Sequence, residues 1–452
     1  MSIRNTVEAI ILKDTIKKFI VVFMVIFLLL FVACQPTTEY QTLELPHDYL
    51  NLCDPIAEPQ EPETSLEPCN LLETAEPDET ILYQPPTQAS AFVEYWLQQL
   101  TLEEKIGQLI MPRLPWQTTA VNASLQQWLD TIPFGGFILF GDNVESVLQV
   151  QALTQDLQAQ ARLPLFISTD EEGGRVSRVG RLFDGGPTPA AFEIGQAQDV
   201  SVILEGMEEI IPFAYEVGHI NAQRLLSLGI NMNFAPVADV WSNPANAVIG
   251  NRAFGHTADL VSPNVTATVA GLQNGGVYAT LKHFPGHGDT YEDSHYQLAF
   301  HNHGIDRFWE VEALPFISGI NAGAAAVMTG HISTPQIGGH TALLPWMEPW
   351  IESGNLPATF SDFWLQNILR GRLGFTGLII TDGLEMRALT DHFTCGQIAL
   401  GAFLAGADIL LIPANPAEAF QALLDGYHQG YFDMERLDES VRRILQLKEW
   451  LQ

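Results

Sequence analysis

The chain carries eight short apolar segments that alternate with stretches of helical spacing, and this alternation limits its possible folds more than any other feature. The segments are IGQLIMP (106–112), GGFILF (135–140), PLFISTD (164–170), INMNFAPVADV (230–240), GVYATLKHF (276–284), AAAVMTGH (324–331), TGLIITD (376–382) and GADILLIP (406–413). Segments that are apolar throughout are typical of parallel strands buried on both faces, and the stretches between them have the period of covering helices. The sequence therefore predicts a parallel α/β fold.

Eight units of a strand followed by a helix favour a closed (β/α)8 barrel of the TIM type over an open doubly wound sheet. An open sheet typically has fewer strands and often a glycine-rich phosphate loop, and no G-x-G-x-x-G follows the first segment. The closing stretch MERLDESVRRILQLKEW is predicted to be an amphipathic helix that packs its apolar side on the barrel. We expect a single folded domain over residues 89–452.

Residues 1–34 have the pattern of a targeting segment. The apolar run FIVVFMVIFLLLFVA at 19–33 follows several basic residues and is shorter than the ~20 residues of a spanning helix, as in a signal peptide. It ends at Cys34, and FVAC resembles the lipobox of bacterial lipoproteins. Phe31 departs from the aliphatic residue usual there, so a plain N-terminal anchor is the alternative. In both cases we expect the rest of the chain outside the cytoplasmic membrane and tethered to it.

Residues 35–88 have the composition of a disordered tether. They contain no Lys or Arg, twelve acidic residues and nine prolines. Such a segment cannot bury enough apolar surface to offset its conformational entropy, and like charges extend it. Cys53 and Cys69 both lie in this segment and can pair in an oxidising compartment.

The net charge bears on the class of partner. The chain has 53 acidic and 21 basic residues, a formal net charge of −32. A surface of this sign repels phosphate backbones. We therefore expect no nucleic-acid partner.

Polar side chains follow five of the predicted strands at their carboxyl ends. They are Asp170, Asp239, Lys282, His283, His331 and Asp382. Active sites of TIM barrels lie at this end of the strands, so these carboxylates, imidazoles and one cation are expected to meet at one mouth. A carboxylate in such a place can also cap the next helix, but capping is a weaker explanation for all six together.

Two features of the sequence, Asp382 and a pair of residues in a loop, point to nucleophilic and acid–base chemistry. Asp382 emerges from an apolar strand into the predicted mouth, a position that suits a nucleophile or a charge stabiliser. In the loop after the fifth strand, Asp293 and His295 are two residues apart, so in an extended segment both side chains point the same way and the carboxylate raises the basicity of the imidazole. A loop Asx-turn with a solvated histidine is the alternative interpretation of that pair.

These motifs resemble the bacterial β-N-acetylglucosaminidases of glycoside hydrolase family 3. The resemblance rests on KHFPGHGDT followed by DSH, and on TDEEGGRVSR, NFAPVADV, VIGNRAFG, VMTGHI and IITDGLEM in the family's order, over about residues 95–450. It implies a (β/α)8 barrel that removes terminal β-linked N-acetylglucosamine by a two-step retaining mechanism, often from peptidoglycan fragments. Chitin oligosaccharides are an open alternative as substrate.

The resemblance also implies roles for individual residues. Asp382 would attack the anomeric carbon, and His295, with Asp293 as its partner, would act as general acid and then as base. Four residues would form the sugar-binding set: Asp170, Arg252, Lys282 and His283.

Three further residues belong to the same motifs. Arg175 and His287 would hold the shape of the site. Gly383 follows the nucleophile where an aspartate or alanine is frequent, a departure that leaves the nucleophile and the flanking LEM in place.

A histidine acid/base has an ordinary pKa of about 6.5, near operating pH, and it repels phosphate less than a carboxylate would. Phosphorolysis is therefore a hypothesis beside hydrolysis. The resemblance implies no cofactor and no metal, and we expect a monomer.

Several alternatives have different requirements. β-Glucosidases and β-xylosidases of the same family usually carry a second domain, and too few residues follow the eighth segment for one. A metal-dependent hydrolase would draw its ligands from five residues: His283, His287, Asp289, His295 and His331. The first segment, however, offers no metal ligand. A membrane-tethered sugar-binding lipoprotein would need no nucleophile.

Overall fold

The computed structural model describes residues 90–203 and 211–451. Its strands are short and are numbered in chain order. They are β1 Ile110–Met111, β2 Gly136–Ile138, β3 Phe166–Thr169, β4 Met232–Asn233, β5 Tyr278–Phe284, β6 Ala299–Phe300, β7 Ala326–Thr329, β8 Ile332–Ser333, β9 Leu378–Thr381 and β10 Leu410–Leu411.

Helices separate most of these strands. They are α1 Ala91–Gln99, α2 Leu102–Gln108, α3 Ala123–Thr131, α4 Val147–Gln160, α5 Ala191–Ile203, α6 Ile211–Ser227, α7 Ala258–Asn274, α8 Ile305–Arg307, α9 Ala313–Asn321, α10 Glu348–Glu352, α11 Arg387–Thr390, α12 Cys395–Ala405, α13 Pro416–His428 and α14 Met434–Glu449. Two segments, Phe308–Glu312 and Phe363–Arg372, are π-helical. Short 3-10 turns occupy Gly141–Asn143, Gly180–Leu182, Gly250–Arg252, Pro345–Met347 and Ala358–Phe360.

The parallel pairings of eight strands form a closed circuit. Six strands pair in the order β2-β3-β4-β5-β7-β9, and β1 pairs with β10. Single parallel bridges, Arg113 to Ile138 and Ile380 to Ile409, join that pair to β2 and β9. Every residue of these eight strands is buried. The prediction of a parallel α/β fold of the TIM type is confirmed for this part of the chain.

Each predicted apolar segment contains one of the eight strands, but three segments, 106–112, 230–240 and 406–413, contain a strand of only two residues. In the first segment, residues 106–108 end α2, which begins with a capping box between Thr101 and Glu104. In the fourth, only Met232 and Asn233 form a strand and Val237 adds a single bridge to Lys282, although the whole segment is buried. Apolar residues indicate that a segment is buried, but a buried helix face or a buried loop is as apolar as a strand.

The closing helix has the predicted packing. The residues of its apolar side are buried: Leu437, Val441, Ile444, Leu445 and Leu447. Just after α9, Gly323 has φ +84°, the left-handed conformation typical of a residue that follows a helix. An additional parallel pair, β6 with β8, was not predicted and lies outside the circuit.

The predicted targeting segment, tether, Cys34, Cys53 and Cys69 lie outside the described residues. Over 90–203 and 211–451, no helix has both the length and the apolar character required to cross a bilayer.

Candidate active site

Asp382 lies directly after β9, half-buried at the base of a cleft. Its backbone N–H donates to the Thr329 carbonyl at 2.9 Å, which continues the pairing of β9 with β7, and Gly383 N–H donates to its Oδ1 at 2.7 Å. Burial by itself raises the pKa of this carboxyl group. The nearby imidazoles of His283, His331 and His295 and the Gly383 amide lower the pKa further than burial raises it, to about 2. Asp382 is therefore a carboxylate near neutral pH.

Lys282, in β5, binds two carboxylates in the same cleft. Its Nζ lies 2.7 Å from Asp170 Oδ1 and 2.6 Å from Glu172 Oε1. The side chain is fully buried. Burial lowers the pKa of Lys282, but Asp170 and Glu172 outweigh burial and raise it, so the ammonium keeps its charge.

Arg252 completes an ion network with Glu172. Its Nε and one terminal nitrogen donate to the two Glu172 oxygens, each at 2.8 Å. This bidentate geometry fixes the guanidinium plane. Burial raises the pKa of Glu172, but Arg252 and Lys282 hold it well below its usual range. The motif TDEEGG contains Glu172, but we predicted a role only for Asp170. The signal available in the sequence was the run of three acidic residues, Asp170 to Glu172, at the end of the third apolar segment.

Asp239 orients His283. The His283 Nδ1–H donates to Asp239 Oδ2 at 2.7 Å, so its Nε2 is free to accept, and an Arg252 nitrogen lies 3.4 Å from it. Asp239 Oδ1 accepts the backbone N–H groups of His283 and His287. His283 is thus held in one tautomer with Nε2 on the Arg252 side.

His287 and Arg175 have the surroundings of shape-holding residues. The His287 ring nitrogens bond to the Thr290 and Ser294 hydroxyls, and burial together with His283 lowers its pKa to about 4. Arg175 donates to three successive carbonyls at 247–249, directly before the turn that carries Arg252.

His331 supports the turn after Asp382. Its Nε2–H donates to the Gly383 carbonyl at 2.9 Å, and its Nδ1 accepts from the Thr359 hydroxyl at 2.8 Å. Burial lowers its pKa, so this imidazole is neutral. The turn that carries Asp382 is thereby tied to the strand end of β7.

Asp293 and His295 form the predicted pair on the loop between β5 and β6. Asp293 Oδ1 accepts both the Nδ1–H of His295, at 2.8 Å, and its backbone N–H, at 2.9 Å. The His295 side chain is 61% exposed, and its backbone carbonyl accepts from Arg387 N–H at 3.2 Å. Because Nδ1 is committed to Asp293, Nε2 is the nitrogen available for proton transfer.

A charged cluster holds both ends of this loop. Asp289 accepts from the Ser242 hydroxyl at 2.7 Å, is hydrogen-bonded to His303 Nε2 and lies 3.6 Å from Arg307. Arg307 also pairs with the buried Glu312, at 3.2 Å, in the π-helical turn.

Glu312 packs beneath the start of the loop. A Cβ at Gly286, where φ is +128°, would lie 2.8 Å from Glu312 Cγ. The loop is therefore clamped at its start by Asp289 and Glu312 and at its return by His303.

The cleft brings six of the seven predicted site residues together in about 220 Å³: Asp170, Arg252, Lys282, His283, His295 and Asp382. The seventh, Asp293, is hydrogen-bonded to His295. Four polar or thioether residues at the cleft were not predicted: Glu172, Arg178, Glu385 and Met386. Seven apolar side chains line it as well: Ile138, Phe140, Val176, Phe234, Met328, Leu411 and Ile412.

The five residues considered as metal ligands are not gathered at one point. Over the described parts of the chain, no group of three or more His, Cys, Asp or Glu side chains is placed to hold a metal ion.

The profile of the Glycosyl hydrolase family 3 N terminal domain matches residues 101–447. The chain is 35% identical over 345 residues to Beta-hexosaminidase A of Pseudoalteromonas piscicida, a match that covers 73% of this chain and 56% of that protein. It is 33% identical over 310 residues to Beta-hexosaminidase of Xanthomonas axonopodis pv. citri (strain 306), covering 68% of this chain and 84% of that one.

Among solved structures, the fold is similar to that of a glycoside hydrolase family 3 beta-N-acetylglucosaminidase from Paenibacillus sp. str. FPU-7. The TM-score is 0.68 at 38% sequence identity, covering 78% of this chain and 62% of that one. This chain thus spans less than two thirds of the length of both the Pseudoalteromonas protein and the Paenibacillus protein.

Proposed function

The chain belongs to glycosyl hydrolase family 3, and from this premise we propose that it is a retaining glycosidase that removes terminal β-linked N-acetylhexosamine. The names of its relatives support the substrate class, because proteins called beta-hexosaminidase match most of the folded part. Peptidoglycan fragments and chitin oligosaccharides both contain the required linkage.

In the first step, a carboxylate oxygen of Asp382 attacks the anomeric carbon. The bond from that carbon to the leaving oxygen breaks, its electron pair stays on the oxygen, and the oxygen takes the proton on His295 Nε2. The low pKa of Asp382, about 2, supports this role, since the nucleophile must be ionised. The product is a glycosyl ester on Asp382.

In the second step, His295 acts as a base. Its Nε2 takes a proton from a water molecule, the water oxygen bonds to the anomeric carbon, and the bond to Asp382 breaks. Two displacements at one carbon retain its configuration. Asp293 stabilises the imidazolium through the 2.8 Å bond to Nδ1.

The inner end of the cleft binds the sugar. Asp170 offers a carboxylate acceptor, and Lys282, Arg252 and His283 offer donors or acceptors for hydroxyl groups. The Lys282–Asp170 pair, the Arg252–Glu172 pair and the His283–Asp239 hydrogen bond hold these side chains before a ligand arrives, so little side-chain entropy is lost on binding.

The observation that carries this proposal is that Asp382 and the Asp293–His295 pair meet at one cleft, one from the barrel and the other from a loop. The test compares 4-nitrophenyl N-acetylglucosaminide with the matching glucoside, using the wild type, Asp382→Ala, His295→Ala and the exposed control Asp391→Ala. We expect preference for the N-acetylglucosaminide and a loss of at least about a thousandfold in kcat for Asp382→Ala. Preference for the glucoside, as in a β-glucosidase, or full activity of Asp382→Ala would refute the proposal.

Two further measurements assign the roles. With 2,4-dinitrophenyl leaving groups, which need no protonation, His295→Ala should lose much less activity than with poorer leaving groups. Added azide should restore turnover of Asp382→Ala as the α-glycosyl azide and of His295→Ala as the β-glycosyl azide. The same azide anomer from both variants would contradict the assignment.

We also propose hydrolysis with water as the acceptor. Equal turnover with and without inorganic phosphate is the expected result, and turnover that requires phosphate would establish phosphorolysis instead. Activity should survive strong chelators, because no step in the proposal uses a metal. Binding of chitooligosaccharide without any turnover would indicate a sugar-binding protein.

We propose that the enzyme acts outside the cytoplasmic membrane as a monomer tethered through residues 1–88. If Cys34 is lipidated, Cys34→Ser should move the chain out of the membrane fraction. If residues 1–34 are an uncleaved anchor, the substitution should change nothing.

A further inference from the structure

Trp116 is an exposed aromatic residue one side-chain layer away from the cleft. It follows β1 and is 69% exposed. The Arg113 guanidinium lies 5.4 Å from the Trp116 ring and 4.6 Å from the ring of Phe140, which lines the cleft. Arg113 also lies 3.6 Å from Glu385, another cleft residue. Trp116, Arg113 and Glu385 thus form a continuous rim.

The backbone around Trp116 is held in place. Gln117 N–H donates to Asp142 at 2.9 Å, and the Asn143 amide donates to the carbonyls of Pro115 and Thr118 at 3.2 and 3.1 Å. Gln117 has φ +57°, a conformation uncommon for residues other than glycine. An exposed indole on so constrained a loop is a preformed contact surface, which loses little entropy when a ligand packs on it.

A second constrained residue, Ile412, lines the cleft. Ile412 has φ +48°, a genuine outlier for a β-branched side chain. Gln117 and Ile412 are the non-glycine residues with positive φ in the described part of the chain. Strained backbone clusters at ligand-binding sites, so strain at Ile412 in the cleft and at Gln117 next to Trp116 is consistent with binding at the cleft and its rim.

Charge at the rim is mixed. Arg113 lies 3.6 Å from both Asp142 and Glu385, and Arg178 lies 3.9 Å from Asp170. Two guanidinium groups thus face three carboxylates, so the set does not favour a ligand that carries a carboxylate, but it offers both donors and acceptors to hydroxyl groups. With the indole and the apolar cleft residue Met386, it suits a ring that has one C–H face and a polar edge.

The position of His295 identifies the part of the substrate that this rim would contact. The terminal sugar occupies the inner end, at Lys282 and Asp382, and His295 protonates the oxygen that leaves. Since His295 stands at the exposed end of the cleft, the ring attached to that oxygen must lie toward the solvent, where the rim is.

We propose that Trp116, Arg113 and Glu385 form a binding site for an uncharged sugar ring on the leaving-group side of the scissile bond. The site makes chitin-type oligosaccharides, whose second ring is neutral N-acetylglucosamine, better substrates than fragments whose second ring carries a carboxylate. This inference rests on the proposed glycosidase function.

The test uses substrates that differ only on the leaving-group side. N-Acetylglucosaminyl β-fluoride has no second ring, N,N′-diacetylchitobiose has a neutral one, and N-acetylglucosaminyl-N-acetylmuramic acid adds one carboxylate. For Trp116→Ala we expect kcat/KM to fall about tenfold or more with chitobiose, and less than about twofold with the fluoride. Tyr431→Ala, at an exposed tyrosine between α13 and α14, is the matched control and should change neither value.

The outcomes separate the two proposals. Wild-type chain that cleaves none of the three substrates would refute the proposed function and this inference with it. If the wild type is active and Trp116→Ala changes kcat/KM equally, or not at all, for the fluoride and chitobiose, the inference is refuted and the proposed function is not. A higher kcat/KM for the muramic acid disaccharide than for chitobiose would refute the proposed preference for a neutral second ring. An unchanged thermal unfolding midpoint checks that Trp116→Ala is folded.

Discussion

Lys448, in α14, is a buried lysine whose ammonium makes no salt bridge within the described residues. Its Nζ donates to the neutral side chain of Gln108 at 2.7 Å and lies 5.2 Å from the ring of Phe166. The side chain has no solvent exposure. Burial without a countercharge lowers its pKa to about 7. We predict that this one group makes stability rise with pH through the weakly alkaline range.

The sign and size follow from proton linkage. In the unfolded chain the pKa of a lysine is about 10.4, so between pH 7 and 10 the unfolded state holds a proton that the folded state has lost. Stability rises with pH wherever the unfolded state binds more protons, by about 1.4 kcal/mol per pH unit for one proton. From pH 7 to 10 the wild type should therefore gain on the order of 4 kcal/mol relative to a variant that cannot titrate there.

The assay is urea unfolding at a series of pH values from 6 to 10, for the wild type, Lys448→Met and Lys448→Gln. Neither variant side chain titrates, and Gln keeps a donor for Gln108, so the two variant curves should run parallel to each other. The wild-type curve should rise relative to both above pH 7. If all three curves run parallel, the buried lysine is not deprotonated in the folded state and the reasoning is wrong.

Two further predictions concern the site. Glu172→Gln should lower the free energy of unfolding at pH 7 by about 3–5 kcal/mol, because it leaves two buried cations with one carboxylate. Urea unfolding measures this, and the exposed control Asp391→Asn should keep the wild-type midpoint. An equally small effect of both substitutions would contradict the prediction. Since the folded pKa of Glu172 is depressed, this contribution should be present above the unfolded pKa of about 4.3 and be lost as pH falls below it. Glu312→Gln should lower kcat about tenfold with little change in KM for 4-nitrophenyl N-acetylglucosaminide, because it loosens the loop that carries His295. The control variant Glu310→Gln, at an exposed neighbour, should match the wild type. A change in KM alone would argue against a positioning role for Glu312.

The strand ends could be predicted because a parallel barrel sends the carboxyl ends of all its strands to one mouth. Lys282, His283 and Asp382 were recognised in this way from short apolar segments that end in polar residues. Strand lengths could not be predicted, because burial makes a loop as apolar as a strand. The segment 230–240 shows this, since only two of its residues form a strand.

Residues whose role depends on a partner elsewhere in the chain were harder to find. The role of Glu172 depends on its ion pairs with Arg252 and Lys282, which lie in a later turn and a later strand. Trp116 and Arg113 follow a first strand for which we predicted only that it offers no metal ligand, and their position beside the cleft depends on a loop held by Asp142 and Asn143. Such contacts between loops leave no periodic pattern in the sequence.

The clamped loop between β5 and β6 makes the proposed proton-transfer pair, Asp293 and His295, a separable module. Asp289 and Glu312 secure its start and His303 its return, while Asp382, the proposed nucleophile, follows β9 in the barrel. Grafting this loop, residues 287–303, between relatives should transfer the pH–rate profile of the donor and leave the sugar preference of the recipient unchanged. Natural variation in this one loop can adapt the enzyme to a new acidity with no change in the barrel.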